Sequence, residues 1–157
     1  MVLINNFLLL TGTLGGIAIY FWGLFLGTLY FYIVENKLSS DTKKLAIYLC
    51  TALISIFITG HAASLVGMTD PSRILLDEAV MVPFIFVSYK FTKNKIDYKT
   101  ILGGLILYGI FDGLKPFGIN YLGDLPGGLG IVADDLGAAL LAAIVIYFAQ
   151  KVLTNKN

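Results

Sequence analysis

The sequence predicts an all-α fold: a polytopic membrane helical bundle of about five helices, with a polar, motif-bearing loop before the last helix. Composition is the first reason. Of 157 residues, 57% are hydrophobic and 13% charged, with a mean hydropathy of +0.83, whereas a soluble domain is about half apolar and about a quarter charged. The second reason is pattern. The apolar residues fall into separate runs, most of them long enough to cross the roughly 30 Å hydrocarbon core, and short stretches between them hold nearly all the charge. No internal repeat divides the chain, so residues 1–157 read as a single membrane-embedded domain. A net charge of +1, without a basic run interleaved with aromatics, excludes nucleic acid as a partner. Cys50 is the single cysteine. It excludes an intramolecular disulfide and a thiolate zinc site, and it reads as packing.

From Met1 to Val34 no side chain is charged, and one helix of that length would reach about 50 Å, so the run must be divided. The break is expected at Thr11 to Gly16 (TGTLGG), where three glycines weaken a helix. Ile17 to Val34 then forms the first span, closed by Glu35, Asn36 and Lys37. It lacks the basic start and the cleavage site of a signal peptide and is expected to be retained. A polar loop from Leu38 to Lys44 leads into the second span, Leu45 to Val66. His61, near its end, is either a hydrogen-bonded structural residue or a ligand for metal or phosphate. The turn Met68 to Arg73 (MTDPSR) offers Asp70 or Ser72 as a cap for the third run, Ile74 to Phe91. The adjacent acids Asp77 and Glu78 interrupt that run at once, and Pro83 is expected to kink it. Lys90, Lys93, Lys95, Asp97 and Lys99 form a solvated basic loop. The fourth helix runs from Thr100 to Leu114, and Leu136 to Leu153 is the fifth. Gly137, Ala138, Ala139, Ala142 and Ala143 let that last helix pack closely.

Between the last two helices lies the stretch on which a functional reading turns, Ile110 to Asp135 (IFDGLKPFGINYLGDLPGGLGIVADD). It gathers Asp112, Lys115, Asp124, Asp134 and Asp135. If all five runs cross, alternation brings this loop, the Asp70 to Glu78 region and TGTLGG to one side, while the other loops and the C-terminus fall on the opposite side. Seven of the ten acidic residues then share one face. Carboxylates so crowded need a cation or hydrogen-bond donors, and hard oxygen ligands suit Mg²⁺, which takes few carboxylates and binds a substrate phosphate. Each group also has a plainer role. Asp77 and Glu78 suit the first turn of a helix, Asp134 and Asp135 can cap the last one, Lys115 can snorkel to the interface, and Arg73 can sit on the rim.

The same residues resemble the phosphatidylglycerophosphatase A family of bacterial membrane lipid phosphatases. The resemblance rests on Phe111 and Asp112 followed by Lys115 and Pro116, then on Gly127, Gly128, Gly130 and Ile131 ending in Asp134 and Asp135. The Asp77 and Glu78 pair after a short Ile-x-x lead and the loop Gly12, Thr13, Leu14, Gly15 extend it over most of the chain, in the same order. Departures from the family pattern fall at Thr11, Gly16, Met81 and Gly118, which touch loop shape and not the carboxylates. The resemblance implies an Mg²⁺-dependent phosphomonoesterase of phosphatidylglycerophosphate, embedded in the inner or plasma membrane. Asp77, Glu78, Asp112, Asp134 and Asp135 would be metal ligands or acid and base groups. Lys115 and Arg73 would contact the phosphate, with Thr13 and the Gly15 backbone as donors. Partners would be the phospholipid substrate and membrane lipids, and a homo-oligomer is left open. A rival reading, a small ion or proton carrier, would place its acids near the bilayer midplane beside broken helices. Nine lysines on the side opposite the acids mark that side as cytoplasmic. That sits against a substrate made at the inner leaflet unless one segment is re-entrant.

Overall fold

The computed structural model describes residues 16–67, 75–88 and 96–154. Thr13, Gly15, Arg73, the caps expected at Asp70 or Ser72, and Lys90, Lys93 and Lys95 lie outside them. The described residues form helices and turns without a strand. They comprise α1 (Gly16–Lys37), α2 (Asp41–Val66), α3 (Leu76–Ile85), α4 (Tyr98–Leu114), a 3-10 turn (Pro116–Gly118), the short α5 (Asn120–Gly123) and α6 (Gly128–Thr154). Two of them, α2 over Asp41–Leu65 and α6 over Gly128–Val152, are long and apolar enough to cross a membrane. Their outward side chains include Leu53, Phe57, Ile144 and Phe148, all more than half exposed. Such a face suits acyl chains better than water.

The α1–α2 hairpin is closed by polar contacts at one end of the bundle. Leu38 N–H bonds Val34 O at 3.1 Å, Lys44 Nζ pairs with Glu35 at 2.6 Å, and Tyr48 donates to Glu35 at 3.0 Å. Tyr48, itself 3% exposed, edges onto Tyr30 and stacks near Phe31.

The third run, expected as a helix kinked at Pro83, is helical over a shorter stretch. Its helix has ten residues, about 15 Å. Pro83 is the cause. It has no N–H to return to Ala79 O, and the helix ends two residues later with Phe86 N–H and Val87 N–H turning back to Pro83 O and Phe84 O. The freed Ala79 carbonyl lies against Gly27 of α1, where a β-carbon would collide with it. The chain past Ile85 can be irregular because it is wrapped in protein: Phe86 is 2% exposed and Ser88 7%. Among the described residues no side chain caps the start of α3 at Leu75.

Contacts fix the directions. Gly23 faces Leu75 and Glu78, Gly27 faces Ala79 and Val82, and the ring of Phe31 meets Phe86 at 5.1 Å, so α1 and α3 run parallel. Helices α4 and α6 run antiparallel, since Gly104 meets Ile146 while Lys115 meets Asp134. The small face of α6, with Ala138, Ala139 and Ala142 fully buried, lets the other helices approach closely.

The last helix also differs. Read as a loop up to Asp135, the glycine-rich stretch is already helical from Gly128, so Asp134 and Asp135 are two turns inside α6 and do not cap it. Only Gly127, at φ 63°, needs glycine for its backbone conformation. Gly128 and Gly130 serve close approach instead: β-carbons there would strike Ile56 O and Gly60 N of α2, and Leu125 O and Gly123 O of the preceding turn.

Candidate active site

At the end of the bundle opposite the α1–α2 loop, three helices deliver the acids. Asp77 and Glu78 occupy the first turn of α3, Asp112 the last turn of α4, and Asp134 and Asp135 the second turn of α6. Asp77, Asp134 and Asp135 are 6%, 3% and 6% exposed. Glu78 presses on α1, where a β-carbon at Gly23 would stand 3.0 Å from Glu78 Oε2. That oxygen is buried and has no hydrogen-bond partner among the described residues.

The charges converge. Asp135 interacts electrostatically with Asp77, Asp112, Asp134 and Glu78, and Glu78 with Asp77 and Asp112. Successive helix residues point about 100° apart, so Asp134 and Asp135 serve different neighbours. Asp134 Oδ2 accepts from Lys115 Nζ, and Asp134 Oδ1 accepts from Asp135 N–H at 3.0 Å. Lys115 reaches it because the chain turns sharply there. The residue ends α4 in a left-handed conformation, φ 43° and ψ 53°, with its N–H on Phe111 O at 2.8 Å. Asp124 is exposed on the rim, beside a cleft of about 490 Å³ between Gly60, Ala63 and Ser64 of α2 and the Gly123 to Gly127 turn. The cleft adjoins the acids at Gly123, whose β-carbon would lie 3.4 Å from Asp134 Oδ2.

The five predicted acids and Lys115 are thus brought together, while Asp124 and His61 stay outside the cluster and exposed. Two residues escaped the sequence reading. Tyr20 and Tyr108 stack at 6.3 Å with planes 5° apart, and both interact with the charges of Asp112, Glu78 and Asp135. Tyr108 and Asp112 stand four apart on one helical face, a spacing that does not single out one of nine tyrosines.

Ionised together, five carboxyls beside the one ammonium that the described residues supply would leave a strong excess of negative charge in a largely dry site. A hard divalent cation answers that excess, and the orphaned Glu78 oxygen supplies a further point of fit. As the side chains lie, no three His, Cys, Asp or Glu among the described residues stand close enough to hold a metal together. The donor chemistry therefore fits Mg²⁺ bound through one or two carboxylates and its own waters, rather than an all-protein cage.

A site of buried acids and a lysine at one end of the bundle, on a chain with two helices long and apolar enough to cross a membrane, defines the class: an all-helical protein with an acidic site between its helices. Comparison with known proteins narrows it. The profile of the phosphatidylglycerophosphatase A family matches residues 6–150, and this chain belongs to that family. A phosphatidylglycerophosphatase A of Haemophilus influenzae is 30% identical over 130 residues, 82% of this chain and 77% of the relative. A putative phosphatidylinositol-3-phosphatase of Bacteroides thetaiotaomicron is 33% identical over 86 residues, 54% of this chain and 52% of that protein. The Escherichia coli phosphatidylglycerophosphatase A is 25% identical over 96 residues, 60% of this chain and 54% of its own length. No solved structure matches.

Proposed function

We propose that the protein is a magnesium-dependent phosphatidylglycerophosphatase, a multi-pass, single-domain protein of the cell membrane. It would hydrolyse the terminal phosphomonoester of phosphatidylglycerophosphate to phosphatidylglycerol and inorganic phosphate. The observation that carries this reading is the convergence of Asp77, Glu78, Asp112, Asp134 and Asp135, from three helices, on one buried place beside Lys115. In a five-segment bundle, α1, α2, α4 and α6 cross and the third segment crosses as a short helix continued by irregular chain, shielded from lipid by its neighbours.

Within this reading the cation is held by some of the five acids. When bound, it neutralises the phosphate and polarises the ester bond. The protein's own groups do the rest. Water attacks phosphorus, the P–O ester bond breaks, and the departing glycerol oxygen takes a proton, with carboxylates of the cluster accepting and returning protons. Lys115, partly exposed and shared with Asp134, contacts a phosphate oxygen as a point charge. Thr13, the Gly15 backbone and Arg73 complete the phosphate donors. The cleft beside Asp124 admits the headgroup. Membership of a phosphatase family weighs against the ion-carrier reading.

The test is phosphate release from phosphatidylglycerophosphate by the purified protein in detergent, with and without Mg²⁺, beside Asp112→Asn and Asp135→Asn. Metal-dependent release, reduced at least about 100-fold in both variants, is expected. A folded wild-type protein that releases no phosphate would remove this substrate, and release unaffected by chelation would remove the metal.

A further inference from the structure

Holding a phosphate among carboxylates requires donors, and the described residues offer few. Lys115 is engaged with Asp134. Buried hydroxyls without a hydrogen-bond partner among the described residues belong to Tyr20, Ser88 and Tyr108. Ser88 lies past the C-terminal end of α3, away from the acids at its start. The two tyrosines lie beside the acids: Tyr108 is one turn before Asp112 on α4, and Tyr20 is one turn before Gly23, which meets Glu78, yet neither hydroxyl bonds any acid. Tyr108 is fully buried. Tyr20 crosses from α1 to α4, where its hydroxyl lies 2.7 Å from the place a β-carbon would take at Gly109. That glycine clears the space in which the hydroxyl sits. The parallel stack of the two rings, 6.3 Å between centres, holds them as one plate. A buried hydroxyl left unpaired costs stability. Such a cost, met twice beside one cluster, points to a ligand that satisfies it. A neutral hydroxyl can donate to a phosphate oxygen without adding charge.

We propose that the Tyr20 and Tyr108 hydroxyls are phosphate-binding donors of this site, set in place by their ring stack and by the absence of a side chain at Gly109. The inference rests on the phosphatase reading for its substrate but not for its ligand class, which is a tetrahedral phosphoryl oxyanion. Tyr108→Phe and Tyr20→Phe each delete one oxygen and keep the ring.

Two measurements are made on full-length protein in detergent with Mg²⁺: turnover of phosphatidylglycerophosphate, and the rise in thermal transition on adding orthovanadate, a phosphoryl mimic. Each variant should lose at least about 10-fold in kcat/KM and most of the vanadate-induced rise. Its transition without vanadate should match or exceed that of the wild type, because no protein partner is lost. Gly109→Ala should lose the vanadate response as well. A vanadate response in wild type without turnover would sink the substrate and leave the proposal standing, provided the variants abolish that response. A response unchanged in Tyr108→Phe and Tyr20→Phe, whatever happens to turnover, overturns the proposal, as does the absence of any response in wild type. A fall in the ligand-free transition of both variants would also overturn it, by showing that the hydroxyls are structural.

Discussion

Removing one charge from the acid cluster should stabilise the protein while disabling it, and Asp135→Asn is the sharpest case. Asp135 is buried and senses Asp77, Asp112, Asp134 and Glu78, while the cluster's one ammonium sits on Asp134. With both groups ionised, a single like charge at about 6 Å costs on the order of 3 kcal/mol at an effective dielectric of about 20, which is the upper bound of the relief. The asparagine forfeits part of that relief, because a buried amide whose groups are poorly paired costs about 1–2 kcal/mol. The net gain is then about 1 kcal/mol, or roughly 2–4 °C in thermal transition for a chain of this size. The assay is thermal unfolding in detergent, first in chelator and then in millimolar Mg²⁺. In chelator Asp135→Asn should melt above the wild type. With Mg²⁺ the wild type should rise more than the variant, since a ligand stabilises the state that binds it, and the gap should close or reverse. A variant that melts below the wild type in chelator would refute the argument. It would mean that the carboxylate is held by protein donors and not strained by its neighbours.

Other contacts give three further outcomes. Lys115→Met removes the ammonium from Asp134, which is 3% exposed and keeps the Asp135 N–H, and should cost about 1–3 kcal/mol in thermal or denaturant unfolding, below the range for a fully buried pair because the lysine is partly solvated; Asp134→Asn added to it should restore most of that loss. Gly27→Val drives a side chain into Ala79 O and Val82 of α3 and should destabilise by at least about 1–3 kcal/mol, with phosphate release falling because α3 carries Asp77 and Glu78. Asp97 caps α4, accepting from Thr100 N–H at 2.9 Å and Thr100 Oγ1 at 2.6 Å, and these bonds hold its carboxyl below the ordinary range. A lowered value means that the stabilisation is present above the ordinary carboxylate value and lost as pH falls through the folded one. The deficit of Asp97→Ala in a melting series should therefore be full at pH 7 and begin to fade below about pH 4.

Much of this fold was legible because apolar runs and their charged ends set the long helices. The first span, read as Ile17 to Val34, is Gly16–Lys37, and the second, read from Leu45, begins at Asp41 with Ser40 at its cap. Two errors share a cause. Composition made Ile74 to Phe91 one kinked helix and Gly127 to Asp135 a loop, whereas the outcome was decided by which backbone groups neighbouring helices could accept. Pro83 shortened the first, and α1 accommodates the carbonyl it frees. Gly128 and Gly130 looked like breakers, but α2 and the preceding turn need their missing β-carbons. The acids and Lys115 were found because charge is conspicuous in an apolar chain. Tyr20 and Tyr108 were not, because among nine tyrosines nothing in the sequence marks two whose hydroxyls are buried without a partner.

The short third helix explains how such a cluster can exist. Three helices pointing carboxylates at one place repel one another, so something else must press them together. Here it is contact between backbones: Gly27 on Ala79, Gly60 on Gly128, and the alanine face of α6. Close approach at small residues gains dispersion and loses little side-chain entropy, which is the main attraction left between helices in lipid. Those contacts lie below and beside the acids, never among them, so the packing holds the cluster strained without filling it. A ten-residue α3 makes this possible. Its first turn reaches the acid site while Val80 to Phe86 stay in the interior. On the proposed reading the strain is binding energy held in reserve: a cation entering the site would relieve repulsion that the helix contacts already sustain, and a phosphate would bind to that cation's charge.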